Sequence, residues 1–68
     1  MTQYKLSQEY IQLNNLLKTL SLVGSGGEAK LVIQDGAVAV NEQVETQVRK
    51  KLRSGDIVVF EEHTIQVV

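Results

Sequence analysis

The chain has no cysteine, one histidine, three aromatic residues and no apolar run that approaches the thickness of a bilayer. Without cysteine there is neither a disulfide nor a thiolate metal site, which suits a reducing compartment and gives a cytoplasmic expectation. A membrane span needs about 20 consecutive apolar residues, so no membrane partner is expected. The first residues, Met1-Thr2-Gln3-Tyr4-Lys5, lack the basic-then-apolar order of a signal peptide. The single histidine, His63, directly follows Glu61 and Glu62. Three neighbours in a turn do not converge on one metal ion. No second histidine or partnered set supports the serines as nucleophiles, and the glycines do not follow the P-loop order. The expectation is therefore no enzyme, no cofactor and no small-molecule substrate. Tyr4, Tyr10 and Phe60 are too few to build a stacking platform for single-stranded bases.

Charge of one sign is also scarce in the sum. Seven basic and eight acidic residues give a formal net charge of −1, which excludes a uniformly basic surface. The distribution says more. Residues 46–55 hold Arg49, Lys50, Lys51 and Arg53 and no acid, so any polyanion surface must be a local patch. At 68 residues the chain reads as one domain, 1–68, and as a monomer. A chain of this size buries only about 60% of its unfolded surface, so its stability should be on the order of 5 kcal/mol.

Leu13, Leu16, Leu17 and Leu20 fall at i, i+3, i+4 and i+7, the buried stripe of a helix over about Leu13 to Leu22. Asn14, Asn15 and Lys18 lie off that stripe, toward solvent or a ligand. Gly24, Gly26 and Gly27 are expected to end this helix. Ser25 and Glu28 have capping-box spacing, which predicts reciprocal bonds between them and a second helix over about Gly26 to Asp35. Ala29, Val32 and Ile33 would be its buried face, and Gly36 its left-handed terminator. Residues 1–11 read as a tail leading into a strand. Ala37 to Val40 alternate as a strand, Asn41-Glu42 marks a tight turn, and Gln43 to Glu45 begin the return. Ser54-Gly55-Asp56 is another turn. Ile57 to Phe60 has almost no polar break and reads as a central strand buried on both faces. After Glu61-Glu62-His63, Thr64 to Val68 closes the sheet. The order gives an α+β fold, two packed helices followed by a small, mainly antiparallel sheet. The expected core is Leu13, Leu16, Leu17, Leu20, Ala29, Val32, Ile33, Val38, Val40, Val58 and Phe60.

Four segments then occur in order: Leu16-Leu17-Lys18, Ser25-Gly26-Gly27-Glu28-Ala29-Lys30, Val38-Ala39-Val40-Asn41-Glu42, and Arg49-Lys50-Lys51-Leu52-Arg53-Ser54-Gly55-Asp56-Ile57-Val58. Together, over about residues 11–60, they resemble the ribosomal protein S-four type RNA-binding domain, or αL motif. They look most like its small stand-alone bacterial members, the YbcJ/YaaA-like proteins. The resemblance implies two packed helices, a loop and a small sheet that grip structured RNA such as ribosomal RNA or the ribosome, with no catalysis. Two positions depart from the family pattern. Glu42 stands where members often have Gly, and Gly26-Gly27 where many carry Arg.

The residues can also be read without the family. Lys and Arg attract phosphate and release its counterions, and Arg grips it with paired bonds. A helix start offers free amides and a positive dipole end. Taken together with the resemblance, the candidate RNA-binding set is Lys18, Ser25, Gly26, Gly27, Lys30, Asn41, Arg49, Lys50, Lys51 and Arg53; taken without it, Gly26-Gly27 read as a turn, Lys30 as a surface lysine and Asn41 as an ordinary hairpin residue. Leu52 anchors the basic run to the core. The competing reading is a small protein-interaction module whose charged run is only a solvated face.

Overall fold

The computed structural model describes all 68 residues. Helix α1 (Leu13–Thr19) forms where the leucine stripe predicts it, with Leu13, Leu16 and Leu17 fully buried. It stops short of Leu22. Ser21 adopts a left-handed conformation, φ 59°. The Ser21 amide donates to the Lys18 carbonyl at 2.9 Å, and the Leu22 amide to the Leu17 carbonyl at 3.0 Å. This pair of bonds is a Schellman ending, so a serine and not the later glycines terminates the helix. Leu20 consequently lies past the last helical turn and is only half-buried, outside the core expected of it.

Helix α2 (Gly26–Gln34) starts at Ser25, whose Oγ accepts from the Glu28 amide at 3.1 Å. The return half of the capping box is displaced by one residue: the Glu28 carboxylate accepts from the Gly24 amide, at 2.6 Å, and not from Ser25. Ala29 and Ile33 are buried, while Val32 is half-buried. Gly36, at φ 80°, closes the helix as expected, its amide donating to Ile33 and that of Ala37 to Val32.

The main sheet comprises β1 (Thr2–Tyr4), β3 (Val38–Val40), β4 (Gln43–Val44), β6 (Ile57–Phe60) and β7 (His63–Val67), in the order β1-β7-β6-β3-β4. All pairs are antiparallel except β1 with β7. Asn41 and Glu42 both have positive φ, 51° and 71°, as a type I′ hairpin turn demands, although Gly would suit the second position better. β6 is central but open on one face. Val58 and Phe60 point into the core, whereas Val59 is 39% exposed. An antiparallel sheet covered on one side produces this alternation. Thirteen buried residues, from the helices, the covered face of the main sheet, the loop between the helices (Val23) and the short strand that holds Leu52, form one cluster. It includes Val23, Ile65 and Val67, which the helical and strand spacings did not assign to it.

The expected N-terminal strand is in fact two. β1 joins the main sheet, and β2 (Ile11–Gln12) pairs with β5 (Lys51–Leu52) in a separate antiparallel ladder. A side-chain latch links the two turns that flank the basic run. Asn41 Nδ2 donates to Asp56 Oδ1 at 3.0 Å, the Ile57 amide donates to Asn41 Oδ1 at 2.9 Å, and Asp56 Oδ2 accepts from the Arg53 amide at 2.9 Å. Asn41→Ala removes the first two bonds and puts a side chain without a local acceptor at a left-handed position. It should cost roughly 1–3 kcal/mol, read as a lower urea midpoint. An unchanged midpoint would contradict the latch.

Candidate nucleic-acid interface

α1 begins with no side-chain cap; Gln12 holds the N-cap position and makes no capping bond. The first amides of a helix still need acceptors. Here the Leu13 amide donates to the Lys50 carbonyl at 2.8 Å and the Asn14 amide to the Val48 carbonyl at 3.1 Å. The basic segment itself therefore caps α1, and capping the helix fixes the segment. The β2–β5 ladder continues the attachment, with Ile11 opposite Leu52 and Gln12 opposite Lys51. Leu52 is fully buried. Strand alternation then sends Lys51 and Arg53 to the opposite side, and both are exposed. Arg49 is exposed in the preceding turn, and Lys50 is half-buried.

Tyr10 lies against this group. Lys51 Nζ is 4.9 Å from the centre of its ring and the Arg53 guanidinium carbon 5.5 Å, within cation–π range. Glu9 is also brought here, its carboxylate 3.8 Å from Arg53 Nη1. Both partners are well exposed, so the pair is weak. The run that is free of acid in sequence thus has Glu9 and Tyr10 beside its side chains in space, besides Asp56 on the Arg53 amide. The only signal for Glu9 and Tyr10 was the two-residue pairing of 11–12 with 51–52, too short to carry a periodicity.

At the other end of α1, Lys18 reaches over the start of α2. Its Cδ and Nζ are both 3.9 Å from the position a Cβ would take at Gly26. α1 rises about 1.5 Å per residue, so the two ends lie within a few residues' span, with exposed Asn15 between them. Gly26, Gly27 and Lys30 are exposed, and Lys30 is one turn beyond Gly26 on the same line of α2. Ser25 spends its hydroxyl oxygen as the cap of α2. Asn41 is not brought into this group as a free side chain, since both its amide oxygen and nitrogen are engaged in the latch with Asp56 and Ile57. Asn14, expected on the solvent side, is half-buried, and its Oδ1 has no hydrogen-bond partner.

Comparison with known proteins points to one family. The model of the S4 domain matches residues 4–68. YbcJ of Escherichia coli (strain K12) is 41% identical over 59 residues, spanning 87% of this chain and 84% of YbcJ. YbcJ of Shigella flexneri matches with the same values. The solution structure of YbcJ from E. coli, described as revealing an αL motif involved in RNA-binding, aligns with a TM-score of 0.75 and 38% sequence identity, over all of this chain and 87% of that one.

Proposed function

The chain belongs to the S4 domain family, and from that premise we propose that it is an RNA-binding protein without catalytic activity. On this reading it is a cytoplasmic monomer that grips structured RNA, with ribosomal RNA or the ribosome the partner to test first. The observation that carries the reading is the attachment of the basic segment to α1. Arg49, Lys50, Lys51 and Arg53 are mounted on backbone that caps a helix, and are not a solvated tail. Arg53 is the only one of the seven Lys and Arg residues in an ion pair, so no carboxylate bridge competes with phosphate for the others.

Lys18 above the start of α2 supports a second point of contact. A cation over the positive end of a helix is unfavourable by itself, and an anion between them relieves both. Amides at Gly26 and Gly27 would then hold one phosphate, while Lys18, Lys30 and the basic segment hold its neighbours. Phosphates at fixed spacing on a rigid surface suit folded RNA.

One observation favours the protein-interaction reading. Val44, Ala39, Val59 and Thr64 are opposite one another in register across the open sheet face, and Val44 is 65% exposed. A mostly apolar row names no partner, whereas the cationic surface does, and the RNA reading is preferred for that reason.

If three to five phosphates are neutralised, log K for a structured RNA should fall with log salt at a slope of roughly −2 to −4. Reversing Arg49 and Lys51 to Glu should flatten that slope without unfolding the chain, since both side chains are exposed. Binding that ignores both salt and the reversals would refute the basic segment as the contact. Gly27→Asp tests the helix start. A Cβ at Gly27 meets only Ser25 Oγ, at an ordinary 3.9 Å, and acids favour helix starts. The melting temperature should hold while RNA affinity falls sharply; retained affinity would mean that the basic segment acts alone.

A further inference from the structure

Beside the basic segment lies an open cleft of about 380 Å³, lined by Gln8, Glu9, Tyr10, Ile11, Gln12 and Asn15. We propose that this cleft receives one unpaired nucleotide of the bound RNA, its base edge met by the carboxamides of Gln8, Gln12 and Asn15 and its face packed beside Tyr10. The proposal rests on the RNA-binding reading and specifies what part of the RNA is recognised.

Its size and chemistry select the ligand. The volume lies in the range of small-ligand clefts, roughly 300–1,000 Å³, too small for a duplex. A carboxamide offers one acceptor and two donors, the pattern that pairs with the edge of a base. Three residues that carry one line this cleft: Asn15 is one helical turn after Gln12, and Gln8 lies in the bend at residues 7–9 that precedes them. None of the three side chains hydrogen-bonds within the protein. A paired base has its Watson–Crick edge occupied, so these groups favour a base out of the helix, at a bulge or loop.

The surroundings supply the rest of a nucleotide site. Lys51 and Arg53 are held against the Tyr10 ring, which places two cations where the sugar–phosphate of an inserted base would pass. Tyrosine rings and arginine planes are both stacking surfaces for bases. The loose Glu9–Arg53 contact, 3.8 Å between well-exposed groups, opens readily. Counting aromatics along the chain hides this site, because one tyrosine flanked by two cations and three amides replaces a row of aromatic rings.

The test compares three hairpins of one stem at constant salt: fully paired, with a one-nucleotide bulge, and with an abasic bulge. The abasic bulge keeps the flexibility of the stem and lacks only the base. The native protein should bind the base-bearing bulge roughly tenfold or more tighter than the abasic one. The double variant Gln8→Ala/Asn15→Ala, both exposed positions, should lose that preference and keep its affinity for the paired stem. Equal binding of the two bulges by the native protein, or a preference that survives the double variant, would overturn the cleft and leave the RNA reading standing. Failure to bind any hairpin would overturn the RNA reading and the cleft with it.

Discussion

Two backbone hydrogen bonds, from the Leu13 and Asn14 amides to the carbonyls of Lys50 and Val48, organise the functional half of this protein. They satisfy the start of a helix that has no side-chain cap, and they use the basic segment to do it. Because the acceptors are carbonyls, the side chains of that segment are left for other work. Buried Leu52 and the two-residue ladder with Ile11 and Gln12 hold the far side of the segment. The cations are therefore pre-positioned, so that on the proposed reading little ordering of the loop remains to be done on binding RNA.

A net charge of −1 makes this mounting necessary. The chain has no long-range positive field with which to hold a polyanion loosely, so on the proposed reading its cations act together at short range. α1 stands between the two groups. Its first turn carries the basic segment, and Lys18 in its last turn lies over the start of α2. The nearest acids are otherwise employed. Both carboxylate oxygens of Asp56 accept bonds within the latch, and Glu28 caps Gly24. Glu9 alone faces a cation, and weakly.

Much of this was legible in the sequence where one residue type at one spacing decides the structure. The buried leucines of α1, the Ser25 half of the Ser25–Glu28 capping box, Gly36 as terminator and the Asn41-Glu42 turn each follow from local rules, and each is present. What could not be read was non-local. Ser21 ends α1 because its backbone takes a left-handed conformation that glycine would more commonly supply. β6 looked buried on both faces because Val59 is apolar, yet exposure was set by which layer covers the sheet. Tyr10 and Glu9 reach Arg53 only through the pairing of β2 with β5, separated by about 40 residues of chain. Asn41 looked available for a ligand, because its partner Asp56 is distant in sequence and adjacent in space.

The central claim is that the start of α2 and the basic segment form one RNA-binding surface joined by α1. Amide chemical-shift mapping of the labelled protein during titration with a structured RNA hairpin tests it most directly. The account predicts concerted shifts at Gly26, Gly27, Lys30, Arg49, Lys51 and Arg53, with one apparent affinity, while Val59, Thr64 and Gln66 on the open sheet face stay still. Shifts concentrated on that open face, with the basic segment unmoved, would contradict it.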